Sequence, residues 1–393
     1  MALLTAKGYS VQPFKCGPDY IDTKFHSAVC RRPSINLDAF MASPDHVRSL
    51  FAHYQSGADV SIVEGMMGLF DGYDRDSGSA AELSRLTDCP VVLVVDAASA
   101  AYSVAPLLRG FVTFRSDVTV CGVIFNRVGS DRHWQLLRQA CADAGVECFG
   151  YVPRHASLAQ GSRYLGLDFS VEAETETLVS LLDNHVDWQR LLQLTRRPRP
   201  TAAPLPPPHG CALIARNAES FSFLYQETLD RFADVRFFDP ESEVPDFRDI
   251  DLLYLPGGYP EKHLEALAAA EPVRRAIADY AEQGGRIVAE CGGMMYLCQA
   301  IVDDTGEYTM CGVLPHRISA RQQDRHLSLG YRRFQLNGRE YRGHEFHYTQ
   351  FLAPLPPSAT QVYDAKGMPV ATPVLQQGNV LASYTHLYNI FAE

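Results

Sequence analysis

The sequence predicts an α/β protein made of two doubly wound domains, each a mainly parallel sheet with helices on its faces. Short apolar runs alternate with longer helix-like stretches in both halves of the 393 residues, a pattern typical of parallel sheets covered by helices. A proline-rich run separates the halves. With 46% apolar residues, the chain has enough hydrophobic side chains to fill more than one core.

The individual elements follow from the positions of these runs. In the first half we predict strands at 60–63, 91–95 and 118–125 and a helix at 131–144. In the second half we predict strands at 211–215, 235–238, 251–255 and 286–289. The run 196–208 is too rich in proline for a helix or a central strand. We therefore predict domains at 1–195 and 209–393, joined by a linker at 196–208.

Composition excludes several classes of function. No run of about 18 apolar residues occurs, so no membrane span is predicted. A net charge of −11 gives no general basic field, which disfavours nucleic acid as a partner. The ten cysteines form no C-x-x-C pair, and no signal peptide is visible. We expect reduced thiols and a cytoplasmic location.

Cys291 gives the strongest catalytic signal. It follows the apolar run 286–289 and precedes Gly292 and Gly293, at the start of a helix-like segment. A strand, a sharp turn and a helix expose a nucleophile on the bend, where small neighbours let the backbone turn and the helix N-terminus favours a thiolate. A buried structural cysteine beside a glycine turn explains the residue itself equally well.

Two other segments favour the catalytic interpretation. His386, in a β-prone stretch far downstream, supplies a base in the order expected of a thiol hydrolase. Gly257 and Gly258 follow the predicted strand 251–255, and their unobstructed N–H groups could face a developing oxyanion.

The first half has a polar loop of its own. Lys15, Asp19 and Asp22 fall within eight residues, where a strand is expected to end. Lys15 could hold a phosphate or a substrate carboxylate, and the two aspartates could hold Mg²⁺ or orient a substrate. Glu64 ends another strand before a glycine-rich turn, which suits Mg²⁺ beside a triphosphate. A solvated polar turn is the alternative for the first loop.

Six segments together resemble the cobyrinic acid a,c-diamide synthase family from end to end: FKCGPDYID, EGMMGLFDG, PGGYPE, ECGGMMYL, GHEFHY and SYTHLY. The resemblance implies an amino-terminal domain like dethiobiotin synthetase and the P-loop NTPases, and a carboxy-terminal triad-type glutamine amidotransferase domain. It implies Cys291 as nucleophile and His386 as its base. It also implies an ATP and tetrapyrrole-carboxylate site lined by Asp19, Tyr20, Asp22, Glu64 and Asp71.

The implied reaction uses ATP, Mg²⁺, L-glutamine and cobyrinate. ATP would convert a carboxylate into an acyl phosphate, and ammonia from glutamine would then form the amide. Hydrogenobyrinate and nickel sirohydrochlorin are alternative macrocycles, and a glutaminase or binding role alone is a third hypothesis. The sequence leaves the oligomeric state open, with a homodimer as one candidate.

Weaker signals leave alternatives open. Asn126, after a hydrophobic strand, suits adenine recognition or a turn cap. His344 and His347 compete with His386 as partner of Cys291, while a metal site there lacks a third ligand pattern. The segment 163–167 (RYLGL) resembles a family element that touches substrate, and a helix start with packing residues explains it as well.

One departure from the family pattern concerns the phosphate loop. No Gly-x-x-x-x-Gly-Lys-Ser/Thr run occurs in residues 1–393. Residues 1–9 resemble the end of the helix that follows this loop in the family. The expectation is that roughly 20 to 30 residues, including a central strand, are lacking through a late start site or a truncated gene, and that ATP binds weakly.

Overall fold

The computed structural model describes residues 1–155 and 175–388, with the backbone alone at 162–163 and 166–167. The chain forms two compact units. Unit 1 contains Met1–Ala39 and Pro44–Leu205, and unit 2 contains Phe40–Ser43 and Pro206–Glu393. The segment 163–167 named above falls partly outside the described residues, so its suggested role is not addressed. Within the described residues, no helix combines the length and apolar character needed to cross a membrane.

Unit 1 alternates helices and strands. Its elements are α1 (Ala2–Ala6), β1 (Val11–Cys16), α2 (Asp22–Cys30), β2 (Ile35–Leu37), α3 (Pro44–Tyr54), β3 (Val60–Glu64), α4 (Ala80–Thr87), β4 (Val91–Asp96), α5 (Val104–Phe114), β5 (Val120–Val128), α6 (Asp131–Ala144), β6 (Cys148–Pro153), β7 (Ser162–Arg163), β8 (Gly166–Leu167), α7 (Thr175–His185) and α8 (Trp188–Leu194).

The strands β1 to β6 of unit 1 form two separate parallel sheets of three strands, in the orders β2-β1-β3 and β4-β5-β6. Local sequence accounts for the helices between them. In α6, Ser130 caps the first turn by accepting a hydrogen bond from the His133 N–H, and Gly145 ends the helix with φ 69°. The helix occupies the range that the sequence predicts.

Unit 2 is richer in strands. Its elements are β9 (Cys211–Ala215), α9 (Gln226–Asp230), β10 (Asp234–Phe238), β11 (Leu252–Leu255), α10 (Leu264–Ala269), α11 (Glu271–Glu282), β12 (Ile287–Glu290), α12 (Gly292–Leu297), β13 (Cys298–Val302), β14 (Glu307–Thr309), β15 (Leu314–Ser319), β16 (Ser328–Leu336), β17 (Arg339–His347), β18 (Gln350–Phe351), β19 (Val362–Tyr363), β20 (Pro369–Val370), β21 (Val374–Gln377), β22 (Val380–Ser383) and β23 (His386–Leu387).

The main sheet of unit 2 has six strands in the order β10-β9-β11-β12-β22-β21, parallel except at β21. Its central strands are buried on both faces, as parallel sheets covered on both sides require. Alternate residues pack into different cores: Ile287 and Ala289 face one cluster, and Val288 faces the other. This alternation decides which side of the sheet each functional group occupies.

Unit 2 also contains largely antiparallel sheets that the sequence analysis did not anticipate. One has the order β14-β13-β15-β18 and the other the order β20-β19-β16-β17-β23. The hairpin β16–β17 turns at Asn337 and Gly338, both with positive φ, and an Asn-Gly pair between strands is a strong hairpin signal. The expectation of parallel sheets alone was therefore incomplete. Strand β17 carries the GHEFHY segment and pairs with β23.

Candidate active site

Cys291 lies on a tight bend between β12 and α12. Its backbone has φ 46° and ψ −107°, a conformation that costs a non-glycine residue of the order of 1–3 kcal/mol and is found where function requires it. The Cys291 N–H donates to the Ser383 carbonyl over 2.8 Å, which continues the pairing of β12 with β22. The bend is thus tied to the segment that leads to His386.

The glycines beside Cys291 permit close approach of a second loop. A Cβ added at Gly293 would lie 2.0 Å from the Leu255 carbonyl oxygen, and one at Gly292 would lie 3.1 Å from the Gly258 nitrogen. The same loop also meets the imidazole, because a Cβ at Gly257 would lie 2.2 Å from Cε1 of His386. The Gly257–Gly258 loop therefore contacts both the bend that carries Cys291 and the ring of His386.

His386 is held between strands and aromatic rings. It pairs with His344 across β17 and β23, with ring centroids 5.0 Å apart, and it is 1% exposed. Burial, followed by the nearby His347, lowers the pKa of His386 to about 3. The imidazole is therefore neutral at physiological pH, which is the form that can accept a proton.

Burial also controls the thiol. Cys291 is 5% exposed. Its pKa is raised, first by burial and then by the charge of Glu261, although the Gly292 N–H at the helix start lowers it. The expected thiolate-favouring effect of the helix N-terminus is thus outweighed by desolvation. Formation of the thiolate depends on a base.

The other two histidines of this region have their own partners. Nδ1 of His344 lies 3.3 Å from the Tyr225 hydroxyl, and burial holds its pKa well below the usual value. His347 donates from Nδ1 to the Thr349 carbonyl over 2.9 Å and stacks on Tyr384. Among the described residues, no group of three or more His, Cys, Asp or Glu side chains could hold a metal ion.

In unit 1, the predicted polar residues meet at Lys15. Its Nζ lies 2.6 Å from Oδ2 of Asp22, 3.0 Å from Oε1 of Glu64 and 3.8 Å from Oδ2 of Asp19. Lys15 and Glu64 are register partners in β1 and β3. Burial alone would lower the pKa of Lys15, but the Asp22 hydrogen bond and the neighbouring carboxylates raise it. Lys15 is therefore a buried cation fixed by acids.

The remaining predicted residues of unit 1 lie in different surroundings. Asp19 accepts hydrogen bonds from the N–H groups of Ile21 and Asp22, and Tyr20 beside it is buried. Asp71 accepts from the Gly68 N–H within its own turn, over 3.1 Å. Asn126 belongs to the other sheet, where its Oδ1 accepts from the Arg127 N–H.

Sequence reasoning missed three charged or titratable groups. The first is His26, whose Nε2 hydrogen-bonds Glu64 and whose Nδ1 hydrogen-bonds Ser34. Burial by itself would raise the pKa of Glu64, but the contacts with His26 and Lys15 lower it to about 2. Glu345 is fully buried and accepts hydrogen bonds from Arg332 and Thr385. Glu290 precedes the nucleophile. Only its position at the end of a buried strand marked it in the sequence.

Comparison with known proteins identifies both units. Residues 1–165 match the family described as CobQ/CobB/MinD/ParA nucleotide binding domain, and residues 217–390 match CobB/CobQ-like glutamine amidotransferase domain. The chain is 37% identical to a hydrogenobyrinate a,c-diamide synthase of Brucella abortus, over 99% of this chain and 94% of that protein. The chain belongs to the cobyrinate/hydrogenobyrinate a,c-diamide synthase family. A cobyrinate a,c-diamide synthase of Priestia megaterium is 36% identical, over 99% of this chain and 89% of the relative.

Membership of this family confirms the resemblance and the fold class predicted from the sequence. The chain combines a nucleotide-binding domain with a glutamine amidotransferase domain, so the prediction of an ATP-using ligase of the amidotransferase type is confirmed as well.

Proposed function

We propose that this protein amidates the a and c carboxylates of cobyrinate, with ATP as the activating nucleotide and L-glutamine as the nitrogen donor. The observation that carries the proposal is the loop Gly257–Gly258, which packs against both the Cys291 bend and the ring of His386. A thiol, an imidazole and backbone N–H groups at one point are the parts needed to hydrolyse an amide. Membership of the family supplies the substrate class.

In the glutaminase step, Sγ of Cys291 attacks the side-chain carbonyl carbon of glutamine while His386 accepts the thiol proton. The N–H groups of Gly257 and Gly258 stabilise the oxyanion. His386 then returns the proton to the leaving nitrogen, and ammonia departs as the thioester forms. Water hydrolyses the thioester to glutamate and restores the thiol.

In the ligase step, seven residues of unit 1 bind the nucleotide and the substrate carboxylate: Lys15, Asp19, Tyr20, Asp22, Glu64, Asp71 and Asn126. Mg²⁺ prefers oxygen ligands, and the carboxylates that converge on Lys15 are such ligands. Glu64 and Asp22 would hold the ion, and the ion would supply positive charge to offset that of the phosphates. Lys15 would then turn from these acids towards a phosphate or the substrate carboxylate.

The macrocycle has a second candidate, because relatives of nearly equal identity carry the names hydrogenobyrinate and cobyrinate a,c-diamide synthase. Hydrogenobyrinate lacks the central metal, and recognition of the carboxylate arms does not depend on it. Parallel assays with both acids, with products resolved by mass spectrometry, test the proposal. Two successive amide products that require both ATP and glutamine are expected; glutamine hydrolysis without any amide product would leave only the glutaminase.

The domain limits 1–195 and 209–393 with a linker at 196–208, a homodimer and a cytoplasmic location are kept as proposals. Limited proteolysis, light scattering and cell fractionation test them in turn.

A further inference from the structure

Glu290 is a buried carboxylate at the end of β12, immediately before the nucleophile. It is 1% exposed. The alternation along β12 places Val288 in the core that also contains Tyr254 and Leu387, whereas Cys291 packs in the other core. Glu290 accordingly meets the Tyr254 hydroxyl, which donates to Oε2 over 2.9 Å. The backbone of Leu387 also hydrogen-bonds this carboxylate.

Burial of a carboxylate is expensive unless a charge or several hydrogen bonds compensate it. Oε1 of Glu290 is buried and has no hydrogen-bond partner among the described residues. Within the same part of the chain, the basic group that comes within 4 Å of the carboxylate is His386, whose Nδ1 lies 3.9 Å from Oε2. A shift of about 1 Å would close this gap to hydrogen-bonding distance.

We propose that Glu290 is the positioning residue for His386, accepting a hydrogen bond from Nδ1–H so that Nε2 presents its lone pair to Cys291. The inference rests on the proposed function, in which Cys291 and His386 hydrolyse glutamine. When the thiol proton moves to Nε2, the ring becomes a cation. The Glu290 carboxylate stabilises that cation and keeps its own proton count unchanged throughout.

This arrangement takes the acid from the nucleophile's own strand. Glu290 and Cys291 are consecutive, and the register of β12 with β22 pairs Glu290 with Ser383, three residues before His386. One strand end therefore presents the carboxylate and the thiol on opposite sides of its backbone. The segment 384–386 brings the imidazole to within 3.9 Å of the carboxylate.

The charge state of Glu290 then sets the pH range of hydrolysis. Burial raises its pKa to about 8, although the Tyr254 hydrogen bond opposes the rise. Three titratable groups face Glu290: Tyr254 on β11, the neighbouring Cys291 and His386 on β23. His386 is faced in turn by His344 and His347 on β17. Cys291 is faced by Glu261 and Glu345. Only ionised Glu290 supplies the negative charge that stabilises the imidazolium formed when His386 takes the thiol proton. Turnover should therefore increase as pH rises through about 8 and be lost below it.

A purely structural role for Glu290 would run through Tyr254, joining β11 to β12. Two substitutions separate the roles. Glu290→Gln retains an oxygen that can accept from Tyr254 but removes the charge. Tyr254→Phe removes that hydrogen bond but retains the carboxylate. If Glu290 acts on His386, the first change alters catalysis and the second chiefly alters stability.

The experiment measures glutamate formation by the full chain from pH 6 to 10 for wild type, Glu290→Gln, Glu290→Asp, Tyr254→Phe and Cys291→Ala. Glu290→Gln is expected to lower kcat about 10²–10³-fold with KM nearly unchanged, and to abolish the rise near pH 8. Glu290→Asp should have a kcat at least a tenth of that of wild type and should keep the pH-dependent rise in kcat. Tyr254→Phe should retain the kcat reached at high pH within about fivefold, with the rise moved to higher pH because the hydrogen bond that lowers the pKa of Glu290 is lost.

Each contrary result has one meaning. If Glu290→Gln keeps the wild-type kcat and pH profile while Cys291→Ala is inactive, the inference is wrong and the proposed function stands. An equal loss in Tyr254→Phe and Glu290→Gln also overturns it, in favour of the structural role. Hydrolysis by Cys291→Ala overturns the proposed function itself. Should Glu290→Gln fail to fold, the rate of Cys291 alkylation in wild type decides, since it must rise through the same pH as kcat.

Discussion

The two candidate sites differ in how the charges of their buried side chains are compensated. In unit 2, the side chains of Cys291, Glu290 and His386 are all at most 5% exposed. Burial raises the pKa values of Cys291 and Glu290 and lowers the pKa of His386, and each shift favours the neutral form of the group. In unit 1, Lys15 is equally buried, but three carboxylates surround its Nζ. Burial dominates the first site, whereas the second site holds its charges in direct ion pairs.

The difference corresponds to the substrates. The amide of glutamine is neutral, so a buried site with a neutral imidazole needs only to move one proton and stabilise one oxyanion. Phosphates and carboxylates are anions that arrive with cations, and a lysine held by acids can exchange those partners for a ligand. The comparison predicts that the two reactions can be removed one at a time.

Loss of the thiol should have the largest effect. Cys291→Ala is expected to lower glutamine hydrolysis by about 10⁴-fold or more, because no other group can form the thioester. Amidation supported by ammonium salts should persist wherever the ligase step is measurable. Cys298→Ala is the matched control, since Cys298 is also buried and lies near the opposite end of α12, where it contacts Met294. Equal loss with glutamine and with ammonium would contradict the division of labour.

Loss of a carboxylate at Lys15 should reduce amide formation and spare glutamine hydrolysis, the reverse of the effect of losing the thiol. Glu64→Gln or Asp22→Asn is expected to reduce ammonium-supported amide formation about 10²-fold, because the change removes a charge that holds Lys15 and that would hold the proposed Mg²⁺. Glutamine hydrolysis should stay within about twofold of wild type. Asp45→Asn is the control, because that exposed aspartate forms a local ion pair with Arg48. Simultaneous loss of glutaminase activity would mean that the two sites are not separable.

A smaller effect is expected from crowding the imidazole. In Gly257→Ala the new methyl group would lie 2.2 Å from Cε1 of His386, so the ring must move away from the Cys291 bend. We expect a kcat for hydrolysis roughly tenfold to a hundredfold lower, since catalytic geometry tolerates little displacement. Gly306→Ala is the control because, in the part of the chain that the structure describes, no heavy atom beyond its chain neighbours lies within 4 Å of the added methyl group. Unchanged kcat in Gly257→Ala would argue against His386 as the base.

Parts of this arrangement could be predicted from the sequence because they are local. The elbow at Cys291, the helix at 131–144 and the carboxylates near Lys15 follow from runs of a few residues. The pairing of Glu290 with His386 joins residues far apart in the chain, and no local pattern specifies it. The hairpin β16–β17 had an Asn-Gly signal, but its pairing with β23, which fixes His386, depends on the whole unit. The pKa of Cys291 likewise depends on burial that only the packed structure provides.

The sheets of the two units also differ, in how far their strands are buried. Strand β12 lies inside a continuous six-stranded sheet, with neighbours on both sides. Strand β4 is at the edge of a three-stranded sheet, and its Val94 is 69% exposed, compared with 5% for Val288 of β12. An exposed β-branched residue at a sheet edge contributes little to the core and favours association between chains.

Matched substitutions in these strands provide the last and smallest test. Val288→Thr places a hydroxyl in a closed core and should lower the local free energy of opening by about 1–3 kcal/mol. Val94→Thr has nearly the same shape but remains in solvent, so its cost should be below about 0.5 kcal/mol, and self-association should decrease. Hydrogen exchange of the β4 and β12 peptides measures the first quantity in both units, and light scattering measures the second. A cost at Val94 as large as that at Val288 would show that β4 is covered in solution and that the contrast between the sheets does not hold.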